Sequence, residues 1–117
     1  MNPREAIHVH AHWKLRIHSL LSGNSRERLD PAIIERDNLC ELGKWLHAGN
    51  TRAIPREMHR ALLAVHATFH QEAARIVREV QAAHLLGLDV IEPGSVFGNL
   101  SSQIVGMLFN LDPDSIE

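Results

Sequence analysis

Residues 2–21 read NPREAIHVHAHWKLRIHSLL, and two foldings compete for them. Ile7, Val9, Ala11, Trp13, Leu15 and Ile17 alternate with His8, His10, His12, Lys14, Arg16 and His18, the period-two pattern of a half-buried strand. Ala6, His10, Trp13, Ile17 and Leu20 are instead spaced four, three, four and three apart, which makes one face of a helix. Asn2 suits an N-cap and Pro3 the first helical position. A lone strand here would have nothing to pair with, since the rest of the chain reads as helical. Residues 3–21 are therefore read as a helix.

Working outward, Ser22-Gly23-Asn24-Ser25 is a loop, and Asp30-Pro31 repeats the cap-plus-proline start. The second helix is expected to run to Ala48, with a break near Asn38 and Gly49-Asn50 as its stop. Pro55 opens the longest segment, to Leu86, closed by Gly87, with Met58, Leu62, Val65, Phe69, Ile76, Val80 and Ala83 as its apolar stripe. A last helix from Pro93 puts Phe97, Leu100, Ile104, Met107, Leu108 and Leu111 on one face, with Gly98 and Gly106 expected at close packing contacts. Four amphipathic helices with short connections predict an all-α antiparallel four-helix bundle, one domain spanning 1–117.

The composition limits what such a bundle does. Twelve Lys and Arg against fourteen Asp and Glu leave a formal charge of −2, well interspersed, which argues against nucleic acid as a partner. No apolar run approaches the ~18 residues that span a bilayer, and residues 1–14 lack the apolar core of a secretory signal. A single cysteine, Cys40, excludes an intramolecular disulfide, so a cytoplasmic location is expected. Nine histidines in 117 residues are the unusual feature.

His66 and His70 are four apart on the longest helix, so their Cβ atoms lie about 5–6 Å apart on one face and both rings can reach one ion. His10 interrupts the apolar stripe of the first helix, where a buried ring needs a partner for its nitrogens. Cys40 stands in DNLCELGKWLHAG, read as helix, and Gly43 there suggests a close backbone approach. Three histidines and one cysteine from three helices would complete the closed tetrahedral set typical of tightly held zinc. These separations match no zinc-finger spacing.

HAHWKLR, CELGKW and HATFH resemble, in order and approximate gaps, the histidine, CxxGxW and HxxxH signatures of the chemoreceptor zinc-binding (CZB) domain family, over roughly residues 7–77. The resemblance implies His10, Cys40, His66 and His70 as Zn2+ ligands, with Trp13, Gly43 and Trp45 packing around the site. The family's first ligand stands three residues before the tryptophan, selecting His10 over His12. The helical face agrees, because His12 lies about 200° round from His10.

The resemblance further implies a non-catalytic regulatory module, commonly a two-fold homodimer, joined to a bacterial chemoreceptor or diguanylate cyclase. Zinc occupancy would tune the output, and in some members the zinc-bound cysteine responds to oxidants such as hypochlorous acid. The chain contains no GG(D/E)EF segment and no signalling hairpin, so it is expected to act on a separate partner or as part of a longer protein.

The competing readings are an open-site bundle metalloprotein, hemerythrin-like or a non-haem metalloenzyme, and a passive zinc store. The position three before His66 is Leu63 and that before His70 is Ala67, so the Glu-x-x-His di-iron motif is missing at both. Of the other histidines, His8, His12, His59 and His84 are expected on the surface. His18 and His47 sit near helix C-termini, where a protonated ring would favour the dipole. Glu41, Glu57 and Glu72 are candidate acceptors for the ligand rings.

Overall fold

A computed structural model describes residues 1–48, 54–84 and 86–111. Helix α1 spans Pro3–Leu21, and the Asn2 side chain accepts the Glu5 N–H at 2.9 Å. The capping proposed from sequence is thus in place. Its stripe, Ala6, His10, Trp13 and Ile17, is buried, which settles the competition for this segment in favour of helix.

The second expected helix is two short ones. α2 spans Pro31–Ile34 and α3 spans Glu41–His47, so the break covers residues 35–40 rather than the neighbourhood of Asn38 alone. Asp30 caps α2 through the Ala32 N–H, as its position implied. The stop assigned to Gly49-Asn50 lies outside the described residues.

α4, Arg56–Gln81, is the longest element and ends before the predicted Leu86. Its last turn closes through His84 N–H to the Glu79 carbonyl at 3.0 Å and Ala83 N–H to the Val80 carbonyl at 3.0 Å. That closure needs a left-handed residue, and Ala83 supplies it at φ 63°. An L side chain there costs roughly 1–2 kcal/mol, which is why a sequence reading looked past it to Gly87. Ala83 is accordingly exposed and not in the stripe, while Met58, Val65 and Val80 are only half-buried; Leu62, Phe69 and Ile76 are buried as expected.

A short 3-10 turn, Leu88–Ile91, leads into α5, Val96–Leu111. α5 packs on both α4 and α1, α2 lies on α4, and α3 bridges α1 and α4. The core is drawn from all of them: Ile17 from α1, Leu42 and Leu46 from α3, Phe69 and Ile76 from α4, Phe97, Ile104 and Leu108 from α5. The described residues form an all-helical bundle, in which the break between α2 and α3 brings Cys40 to the faces of α1 and α4. None of these helices is long and apolar enough to cross a membrane.

Candidate metal centre

Cys40 is not inside a helix, as the sequence suggested, but at the N-cap of α3. Its Sγ accepts the Gly43 N–H at 3.2 Å. Gly43 is needed for a second reason: a Cβ there would stand 1.7 Å from the Asp37 carbonyl oxygen. The turn before α3 therefore lies directly on the helix's first turn, and that contact carries Cys40 inward.

From α4, His66 and His70 point into the same space, each about 1% exposed. Cys40 Sγ lies 3.4 Å from the Nε2 of both rings, and the two Nε2 atoms are 3.1 Å apart. Zinc bonds of about 2.3 Å to sulfur and 2.0–2.1 Å to nitrogen in a tetrahedron put N···N near ~3.3 Å and S···N near ~3.6 Å. The three donors are already spaced within a few tenths of an ångström of what one ion requires.

Donor orientation fits as well. His70 Nδ1 is 2.7 Å from the Ile34 carbonyl, which only accepts, so the ring carries its proton on Nδ1 and turns a lone pair on Nε2 to the cluster. That carbonyl, at the end of α2, is the support the sequence reading assigned to glutamates. Glu72 pairs instead with Arg75 at 2.7 Å, and Glu41 and Glu57 are exposed. A backbone acceptor leaves no trace in side-chain identities, so only the fold could reveal it. Trp13 stacks edge-on against His70 with centroids 5.2 Å apart, which accounts for a tryptophan three residues after His10.

His10 lies on α1 at 2% exposure, its ring 4.6 Å from Phe69. Its Nε2 meets Ser101 Oγ at 2.9 Å, and its Nδ1 is buried without a hydrogen-bond partner, as is Nδ1 of His66. The close donor group is Cys40, His66 and His70; His10 is a neighbour of that group and is not within it.

Burial governs the protonation of all four groups. It lowers His10 to about 4 and His66 to about 3, with His70 adding repulsion in each case. It lowers His70 too, against the opposing pull of the Ile34 carbonyl. It raises the Cys40 thiol despite the Gly43 N–H. At neutral pH the rings are therefore neutral donors.

Without metal, the unfolded chain takes up protons at these histidines below pH 6.5, while the folded chain resists until about 4 at His10 and about 3 at His66. Their contribution to stability is complete above 6.5 and is lost as pH falls through that window. Each ring adds a slope of up to about 1.4 kcal/mol per pH unit. Urea unfolding of the metal-free chain should show a midpoint that falls steeply from pH 6.5 to 4.5 and is flat from 7 to 8; a flat profile throughout would contradict this.

Elsewhere, His8 and His12 are exposed as expected. His59 is half-buried instead and meets the Leu46 carbonyl at 2.8 Å, pinning α3 to α4. His47 pairs with Asp37 at 3.1 Å, and the exposed His84 with Glu79.

Fold and site together define a helical bundle with a Cys/His/His group that could hold a metal ion, and nitrogen and sulfur are the donors that favour zinc over harder cations. The chemoreceptor zinc-binding domain profile matches residues 10–77, and the chain belongs to that family. No curated protein and no solved structure matches the chain.

Proposed function

We propose that this chain is a zinc-responsive regulatory domain in which His10 joins Cys40, His66 and His70 as the fourth ligand of a closed site. The observation that carries the reading is the spacing of three donors at 3.1–3.4 Å, with a fourth buried ring beside them. A bound zinc supplies strong cross-linking of α1, α4 and the start of α3. A closed site leaves no position for substrate, so the domain is a regulator and not an enzyme. Against a di-iron carrier, the donor group contains no carboxylate.

The domain acts in the bacterial cytoplasm as a two-fold homodimer, modulating a fused or separate signalling protein such as a chemoreceptor or cyclase. Leu15, Ile33 and Val96 are each more than half exposed, apolar surface that association with a second copy could cover. A second input is oxidation of Cys40 by an oxidant such as hypochlorous acid, favoured by its position on the wall of a groove of about 640 Å³ that Trp13 and Leu39 also line.

Metal analysis of protein purified without added zinc tests the core of this reading. One zinc per chain, with X-ray absorption showing three nitrogens and one sulfur, is the expected result. Loss of the sulfur in Cys40→Ala and of one nitrogen in His10→Ala should follow. Two irons per chain, or a nitrogen shell unaltered in His10→Ala, would overturn the assignment.

A further inference from the structure

α5 lies outside the residues matched by the family profile, yet it touches the centre at one point. Its inward face runs Phe97, Ser101, Ile104 and Leu108, spaced four, three and four apart, and Ser101 is the one polar residue among them. Opposite, on α1, the inward face runs Ala6, His10, Trp13 and Ile17, and His10 is its one polar side chain able to ionise. The two polar interruptions meet, Nε2 to Oγ, at 2.9 Å. Ser101 is half-buried, but the His10 ring is buried, and a buried ring nitrogen is costly unless a partner such as this hydroxyl satisfies it.

We propose that Ser101 is a positioning residue for the metal centre: by taking the Nε2 proton of His10, it holds the ring with the Nδ1 lone pair available to the cation. This rests on the reading of His10 as fourth ligand. The observation behind it is that Nδ1 is buried without a hydrogen-bond partner, so with Nε2 held by Ser101 it is the ring nitrogen of His10 left free to bind. His70 is prepared in the opposite sense, with its Nδ1 proton on the Ile34 carbonyl and Nε2 facing the cluster. The Ile34 carbonyl only accepts and so fixes the His70 tautomer, whereas the Ser101 hydroxyl can donate or accept, and its acceptor role toward His10 is what is proposed.

The consequence is regulatory. α5 is seated firmly: Phe97 stacks on Phe69 with centroids 4.8 Å apart, and Phe69 itself lies against both His10 and His70. A Cβ on Gly98 would stand 2.1 Å from the Glu92 carbonyl oxygen, so the first turn of α5 lies directly on the segment before it. Ser101 is presented from that fixed register. Metal occupancy and the seating of α5 are therefore coupled, and by linkage whatever shifts α5 weakens zinc binding by the same factor that zinc resists the shift.

The test uses Ser101→Ala and Ser101→Thr in the full chain. Competition with a chromophoric chelator should show zinc binding about 10–100-fold weaker in Ser101→Ala and within about threefold of the parent in Ser101→Thr, which keeps the hydroxyl. Nitrogen-15 NMR of the metal-free protein should show His10 protonated at Nε2 in the parent and in Ser101→Thr, and a mixture of tautomers in Ser101→Ala. A purely structural serine would move the melting temperature without moving the tautomer. Unchanged zinc affinity in Ser101→Ala, or a His10 ring that keeps a single Nε2–H tautomer there, overturns the proposal. If His10→Ala loses one nitrogen from the zinc shell while Ser101→Ala binds like the parent, only the role of Ser101 fails. If His10→Ala keeps the parent's shell, the four-ligand reading fails and the role of Ser101 with it.

Discussion

Zinc in excess, at about 1,000 times its dissociation constant, is expected to raise the melting temperature of this chain by roughly 15 °C over the chelator-treated protein. The estimate follows from mass action. Binding to the folded state alone at that ratio adds about 4 kcal/mol, and a chain of this length has an unfolding entropy of about 0.25 kcal/mol per kelvin. The effect is a shift and not an all-or-none folding event, because α1, α4 and α5 share a core that does not depend on an ion: Ile17, Phe69, Phe97, Ile104 and Leu108 are all fully buried. Small zinc peptides, which lack such a core, unfold outright without metal. Cys40→Ala should abolish most of the increment, leaving a few degrees at most, since two imidazoles four residues apart still offer a weak site. Differential scanning calorimetry with and without chelator measures both. Equal melting temperatures for the loaded and metal-free parent would refute zinc as a structural ligand of this fold.

How much of this was legible in the sequence depends on what kind of interaction each feature uses. The stripe Ala6, His10, Trp13, Ile17 was readable because the Asn2-Pro3 start and the want of a strand partner decided between two periodicities that both fit, and its buried members are those four. His66 and His70 were readable because a spacing of four on a helix fixes their relative geometry before anything else folds. Cys40 was placed correctly beside them but on the wrong local structure. Its surroundings read as helix interior, whereas residues 35–40 form the break and its sulfur caps α3. A thiol is not among the usual capping groups, so no capping signal marked the boundary. Ile34 and Ala83 act through backbone geometry, a carbonyl toward His70 and a left-handed turn, and residue identity carries neither. Ser101 did leave a signal: a hydroxyl on an apolar stripe, facing a histidine on another. It can be found only by asking which polar interruptions in separate helices are meant for each other.

Gly43→Ala is expected to be the most damaging small substitution in the chain, costing about 3 kcal/mol or more and lowering the melting temperature by at least roughly 10 °C. The added Cβ would meet the Asp37 carbonyl oxygen at 1.7 Å, the Asp37 carbonyl carbon at 2.7 Å and the Asn38 Cα at 3.2 Å. These are backbone atoms, so no rotamer change relieves the clash; the turn must move away from α3. That movement also disturbs the Gly43 N–H bond to Cys40 Sγ, and with it the sulfur's 3.4 Å approach to both rings. Stability and zinc affinity should therefore fall together in this variant, whereas a generic core defect would lower stability with little effect on affinity once the protein is folded. Gly106→Ala is the control, and it has the opposite sign. Gly106 is exposed within α5 with nothing within 4 Å of its would-be Cβ, so the close packing expected of it from sequence is not present. Alanine there should stabilise by about 0.5–1 kcal/mol through helix propensity alone, with zinc binding unaltered. Chemical denaturation paired with chelator competition on both variants gives the answer. A Gly43→Ala protein that unfolds with the parent's midpoint and binds zinc as tightly would mean that the turn is not seated on α3, and that the glycine of the CxxGxW motif has some purpose other than delivering the cysteine.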